Sequence, residues 1–113
     1  APFHCPLMEP AAEIMAEVLD EMNISPPGIS LISNVTAEPV REPAIIRRLL
    51  VEQITSIVRW RESVLYLRAR EVEGIVELGA GKVLSGLTRR IDPDLKPVSV
   101  SSPEDVEAFL KTL

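Results

Sequence analysis

The residue with the clearest chemical potential is His4, the only histidine among 113 residues. Imidazole is the side chain that ordinarily titrates nearest neutrality, so a general base of the usual kind must be this residue. His4 lies between Pro2 and Pro6, just ahead of a helical pattern. Flanking prolines limit backbone freedom, which suits a positioned base. A lone histidine is more often a hydrogen-bonded structural residue, so residue types alone leave both roles open.

The single cysteine, Cys5, neighbours His4 but does not predict a Cys–His nucleophile pair. Catalytic pairs usually come from separate segments, because sequence neighbours tend to point apart. One cysteine also excludes an internal disulfide and a cysteine-built zinc site. We therefore expect Cys5 to be a small apolar residue behind the histidine, and we expect no metal site.

A second motif, Gly79-Ala80-Gly81-Lys82, lies between a predicted strand and a predicted helix, where phosphate loops occur. The Walker pattern requires Gly and Ser or Thr at two flanking positions, which here hold Val76 and Val83. The motif is thus predicted to be a tight turn before a helix. No Gly-x-Ser-x-Gly nucleophile elbow occurs in these residues.

Composition and charge exclude several classes of protein. Hydrophobic residues make up 46% of the chain and the net charge is -5, which argues against disorder and against nucleic acid as a partner. No apolar run is long enough for a membrane span and no signal-peptide pattern is present, so we expect a cytoplasmic protein without a membrane partner. Residues 59–90 form a locally basic stretch, with seven Arg or Lys residues against four Glu residues.

Hydrophobic spacing predicts alternating strands and helices. Helices are expected over 6–22, 43–57, 60–70, 82–91 and from 103 onward, and strands over 29–33, 74–78 and 97–100. Ser102 before Pro103 predicts a helix N-cap. Val83, Leu84, Leu87 and Ile91 are expected to face inward, as are Val106, Phe109, Leu110 and Leu113. The alternation indicates an α/β fold with a short parallel sheet of three strands and flanking helices.

Four blocks, in order, resemble one known family. They are Pro2-Phe3-His4-Cys5-Pro6-Leu7-Met8; Ser33-Asn34-Val35-Thr36-Ala37; Gln53 with Val58-Arg59-Trp60 and Ser63-Val64; and Glu77-Leu78-Gly79-Ala80-Gly81-Lys82-Val83-Leu84. Together they resemble the C-terminal portion of the malonyl-coenzyme A:acyl carrier protein transacylases. The resemblance implies that residues 1–113 are a single partial domain, part of an α/β-hydrolase-like large subdomain.

The resemblance also implies a reaction and roles for residues. Family members move a malonyl group from coenzyme A to the phosphopantetheine thiol of acyl carrier protein, through an acyl-serine intermediate and with no cofactor. His4 matches the general base, and Gln53 matches a residue whose main-chain carbonyl orients that base. Asn34 matches a supporting residue. Phe3, directly before the histidine, matches a position at which Phe accompanies malonyl and Ser accompanies methylmalonyl.

Partners and alternatives follow from the same resemblance. Acyl carrier proteins are acidic, so Arg59, Arg61, Arg68, Arg70, Lys82, Arg89 and Arg90 are candidates for docking one. The serine must come from a missing N-terminal part of the enzyme, and we predict that these residues alone are inactive. Two alternatives stay open: a fragment of a polyketide-synthase acyltransferase domain, and a non-catalytic α/β interaction module.

Overall fold

The structure, a computed structural model, describes residues 2–113. A 3₁₀ turn at Pro6–Met8 leads into α1 (Glu9–Glu21), followed by β1 (Leu31–Ile32), β2 (Pro39–Val40), α2 (Pro43–Thr55), α3 (Trp60–Arg68), β3 (Gly74–Leu78), α4 (Val83–Ile91), β4 (Lys96–Val100) and α5 (Pro103–Leu110). These elements form two compact units, the first ending at Ser63 and the second covering Val64–Leu113.

The first unit is built on α1 and α2, which pack against each other. Pro residues in the first turn of both helices fit there, because the first helical N–H groups need no intrahelical partner. The guanidinium of Arg47 on α2 donates to the carbonyl oxygens of Leu19 and Met22, at 2.7 and 2.8 Å. It thereby satisfies carbonyls at the end of α1 and fixes the two helices to each other.

The predicted first strand does not join the parallel sheet. Only Leu31–Ile32 is extended, and it pairs antiparallel with Pro39–Val40. The intervening loop is closed by bonds from the N–H of Ala37 to the carbonyl of Ser33 and from the N–H of Ser33 to the carbonyl of Glu38. This local hairpin uses the backbone groups that a longer strand would need, so the three-strand prediction was wrong. Val40 then forms a small core with Ile46, Leu49 and Val35.

The second unit contains a parallel pair, β3 and β4, joined through α4. Gly74 to Leu78 align with Lys96 to Val100 in register. The N-cap prediction at Ser102 is confirmed, because its hydroxyl accepts from the N–H of Asp105 while the Asp105 carboxylate accepts from the N–H of Ser102. The fold class is as predicted: α/β, with a short parallel sheet and flanking helices.

The buried face of α4 differs from the prediction. Ser85 and Thr88 are its buried residues, whereas Val83 is 70% exposed and Leu84 and Leu87 are each 38% exposed. The Ser85 hydroxyl donates to Glu77 on β3 and accepts from the Ser99 hydroxyl on β4, and these bonds hold the polar face of α4 against the sheet. The apolar stripe predicted from residue 103 onward is similarly open, since Val106 and Leu110 on α5 are 45% and 59% exposed and Leu113, beyond the helix, is 87% exposed.

Candidate active site

The central contact of the first unit joins His4 to Gln53. The ring Nδ1 of His4 lies 2.8 Å from the main-chain oxygen of Gln53, forty-nine positions along the chain. A carbonyl oxygen only accepts hydrogen bonds, so Nδ1 must carry the proton in this contact. In the neutral ring the other nitrogen, Nε2, is then an acceptor. The side chain of His4 is exposed, which leaves Nε2 able to take a proton from an incoming group.

Gln53 is near the end of α2, and this location matters for the chemistry. Its carbonyl is one of the last four of the helix, which have no regular intrahelical partner. Besides His4, it accepts a long bond of 3.4 Å from the N–H of Ser56. The carbonyl ends of aligned peptide dipoles carry partial negative charge at a helix C-terminus. An imidazolium at His4 therefore meets both a hydrogen-bond acceptor and a favourable helix dipole, without a carboxylate.

The backbone at His4 is held in an unusual conformation. Its φ of 56° is in the left-handed region, which costs a non-glycine residue about 1–2 kcal/mol. Two contacts hold the bend: the Cys5 thiol donates to the carbonyl of Pro2 at 3.1 Å, and the N–H of Met8 bonds to the carbonyl of Cys5 at 3.0 Å. Cys5 is partly buried, and its thiol adds a hydrogen bond to the small apolar role expected of it.

Asn34 shares a small cavity with Gln53. The cavity has a volume of about 110 Å³ and is otherwise lined mainly by apolar side chains of β1 and α2. The main-chain oxygen of Asn34 accepts from the N–H of Arg59 at 2.9 Å, which ties its loop to the start of α3. Phe3, the candidate selectivity residue, is 67% exposed beside His4.

The candidate docking cations have different environments. Arg59 donates to the carbonyl of Thr36 at 3.2 Å and pairs with Glu62 at 3.3 Å, so it also holds the Asn34 loop. Arg89 makes a long bond of 3.4 Å to the carbonyl of Pro97 and lines an open cavity of about 350 Å³ together with Lys82. Within residues 2–113, Arg61, Lys82 and Arg90 are exposed and their side chains have no hydrogen bond or ion pair.

A polar network in the second unit was not anticipated from the sequence. One oxygen of Glu77 accepts from the N–H of Leu84 at 3.1 Å, and the other accepts from the N–H and hydroxyl of Ser85 at 2.8 and 2.6 Å. The Ser85 hydroxyl, followed by the Ser85 N–H, holds the pKa of Glu77 below its ordinary value. The first amides of α4 are thus already bonded, which supports the tight-turn interpretation over a phosphate loop.

No group of three or more His, Cys, Asp or Glu side chains within residues 2–113 has an arrangement suited to a metal ion. No helix within the same residues has the length and apolarity that crossing a bilayer requires.

Comparison with known proteins gives specific matches. The malonyl CoA-acyl carrier protein transacylase of Bacillus subtilis (strain 168) is 46% identical over 112 residues, which are 99% of this chain and 35% of that protein. The crystal structure of the acyl-carrier-protein-S-malonyltransferase from Bartonella henselae superposes with a TM-score of 0.90 at 45% identity, covering 99% of this chain and 36% of that one. No protein-family model matches the chain.

A third match includes a partner. It is a malonyl-transacylase solved in complex with a type II polyketide-synthase acyl-carrier protein, with a TM-score of 0.88 and 34% identity, covering 100% of this chain and 37% of that one. The fold therefore matches about a third of the α/β fold of these malonyltransferases. The chain is homologous to the malonyl CoA-acyl carrier protein transacylases and spans about a third of their length, which confirms the resemblance seen in the sequence.

Proposed function

We propose that this chain supplies the general base for malonyl transfer from coenzyme A to the phosphopantetheine thiol of acyl carrier protein in fatty-acid synthesis. The observation that carries the proposal is the 2.8 Å contact from His4 Nδ1 to the Gln53 carbonyl, which leaves Nε2 as the acceptor. The proposal is supported by the similarity of this chain to transacylases, because the matched region contains both residues.

The proposed reaction has two half-reactions. His4 Nε2 accepts the proton of a serine hydroxyl, contributed by polypeptide beyond these 113 residues, as the serine oxygen attacks the malonyl thioester carbon. The carbon–sulfur bond breaks, coenzyme A leaves as a thiol with the proton returned by His4, and malonyl-serine remains. The carrier-protein thiol then attacks malonyl-serine with His4 again as base, and the serine regains its proton.

The remaining expectations belong to the same proposal. Malonyl-coenzyme A is the proposed substrate. Serine and imidazole supply the nucleophile and the base, so the proposed reaction assigns no metal or cofactor. The partners are an acyl carrier protein and the serine-bearing N-terminal part of the same enzyme, with no role for nucleic acid or membrane, in the cytoplasm. The 113 residues alone are expected to transfer no malonyl group.

A polyketide carrier protein is a second candidate acceptor. One solved structure similar to this chain holds a type II polyketide-synthase carrier protein in complex. Transfer rates to a fatty-acid carrier protein and to a polyketide carrier protein, measured side by side, distinguish the two pathways, and a large preference for the polyketide acceptor would overturn the fatty-acid assignment.

The test of the catalytic role is His4→Ala, assayed with the serine-bearing part of the acyltransferase present. Removal of a general base is expected to lower malonyl transfer about 10²- to 10⁴-fold. Asn23→Ala, at an exposed residue outside the site, is the matched control and should transfer normally. Unaltered transfer by His4→Ala would overturn the proposal and favour the non-catalytic interaction module.

A further inference from the structure

The side chain of Gln53 makes contacts of its own, separate from the main-chain oxygen that holds His4. Its Nε2 donates to the carbonyl of Ser56 at 2.9 Å and lies 3.5 Å from the carbonyl of Ile57. Both carbonyls belong to the segment immediately after α2. The main chain of this glutamine therefore orients the base, while its amide contacts the residues that follow the helix.

These side-chain contacts bear directly on whether the Gln53 carbonyl is available. Had α2 continued regularly, the N–H of Ile57 would bond to the Gln53 carbonyl, as residue i+4 does in any α-helix. Instead α2 ends at Thr55 and Ser56 is extended, with φ -107° and ψ 150°. The chain leaves the helix at the residues that the Gln53 amide contacts. The N–H of Ile57 therefore does not compete with His4 for the Gln53 carbonyl.

We infer that the Gln53 side-chain amide is a positioning group for His4, acting through the main-chain oxygen of the same residue. By holding the carbonyls of Ser56 and Ile57, it keeps the end of α2 open and fixes the acceptor that sets the tautomer of the base. The inference rests on the proposed function for its catalytic consequence, but the structural effect stands without it. It explains why an amide side chain is useful at a position that contacts His4 only through its backbone.

Gln53→Met tests the inference, because Met has nearly the same length and no donor. When residues 1–113 are labelled segmentally with ¹⁵N-histidine and joined to the serine-bearing part, His4 is the only labelled histidine, so its ring nitrogens give unambiguous signals. The parent chain is expected to show a protected Nδ1–H proton and the Nδ1-protonated tautomer. In Gln53→Met that proton should exchange faster and the ring should become a tautomer mixture. A purely structural role would lower stability without changing the tautomer of the folded protein.

Two companion variants keep the test decisive. Glu52→Met introduces the same side chain at an exposed neighbour whose carboxylate makes no hydrogen bond or ion pair among residues 2–113, and should leave the His4 signals unchanged. Gln53→Lys restores a donor that can bond the carbonyls beyond the helix end, and should recover the Nδ1–H signal. If Gln53→Met retains the parent tautomer, or if Gln53→Lys folds without recovering it, the inference is wrong.

The catalytic consequence is measured separately. With the serine-bearing part present, Gln53→Met should lower kcat for malonyl transfer about 10- to 100-fold with little change in KM, because a displaced base affects the reacting step. If the tautomer changes while transfer is unaffected, the proposed function fails and the positioning inference survives. If neither changes, the positioning inference fails by itself.

Discussion

The carboxylate of Glu77 accepts from both the N–H and the hydroxyl of Ser85, at 2.8 and 2.6 Å, and so joins β3 to the first turn of α4. A charged acceptor at the N-terminal end of a helix satisfies free amides and interacts favourably with the helix dipole. The Ser85 hydroxyl bonds in turn to the Ser99 hydroxyl on β4 at 2.8 Å. This network positions α4 over the two strands.

The first prediction concerns acid sensitivity. The pKa of Glu77 is lowered from 4.5, chiefly by the Ser85 hydroxyl, so its contribution to stability is present above about pH 4.5 and is lost as pH falls through the lowered value. Glu77→Gln should reduce stability at pH 7 and flatten its decline below pH 4.5. Chemical unfolding followed across this pH range is the measurement.

Glu73→Gln is the control for that prediction, because it makes the same charge change at an exposed residue next to β3. Its acid dependence should match that of the parent chain. Equal acid dependence for Glu77→Gln and the parent would show that the Glu77 carboxylate does not cap α4 in solution.

The second prediction contrasts the two buried hydroxyls of α4. Thr88 is fully buried and, among the described residues, its Oγ1 has no hydrogen-bond partner, whereas the Ser85 hydroxyl has two. Thr88→Val keeps the shape and removes an unsatisfied group, so the free energy of unfolding should stay constant or rise by up to about 1 kcal/mol. Ser85→Ala should lower it by about 1–3 kcal/mol. A loss of that size for Thr88→Val would mean that its hydroxyl is bonded.

The sequence anticipated much of this architecture for identifiable reasons. Helices with regular apolar spacing and Pro in the first turn were placed within a few residues, and the Ser102 cap has a local signature. The segment 29–33 was assigned to the wrong sheet because an apolar run does not specify its partner strand. The face of α4 was misassigned because hydrogen bonds to Glu77, six residues before the helix, decided which side packs inward.

The sequence alone predicts only part of the candidate site. His4 was found because it is unique and flanked by prolines, but its orientation depends on a main-chain oxygen, and any residue supplies one. Gln53 therefore came from family resemblance alone. Glu77 carried a weak signal, as an acid ahead of a glycine turn and a helix, yet its distance from the helix start differs from that of an ordinary N-cap.

The third prediction concerns carrier-protein docking by the last turn of α4. Arg90 is exposed, without a side-chain partner among the described residues, and Arg89 has only a long bond to a carbonyl. Reversing both charges with Arg89→Glu and Arg90→Glu should raise KM for an acidic carrier protein about 5- to 30-fold and weaken its salt dependence. Malonyl loading from malonyl-coenzyme A should be unchanged, since the carrier takes no part in that half-reaction.

Arg48→Glu, at an exposed arginine of α2 outside the basic stretch 59–90, is the matched charge reversal for each single variant, Arg89→Glu or Arg90→Glu. It should leave KM for the carrier protein near the parent value. If Arg48→Glu raises KM as much as the α4 variants do, net charge rather than a docking surface explains the effect. If the α4 variants retain both KM and salt sensitivity, these two arginines have no docking role.

The fourth prediction assigns acyl selectivity to Phe3. Phe3 is 67% exposed and directly precedes the candidate base, so we expect it to limit the space beside an acyl group held on the serine that His4 deprotonates. Packing distinguishes one methyl group by about 1–3 kcal/mol, which corresponds to roughly 5- to 150-fold in relative kcat/KM. Phe3→Ser should therefore raise the ratio of methylmalonyl to malonyl transfer within that range. Competition between the two coenzyme A esters measures the ratio, with Phe109→Leu, outside the site, as an aromatic control that should leave it unchanged. A constant ratio in Phe3→Ser, with transfer otherwise active, would place selectivity on residues outside this chain.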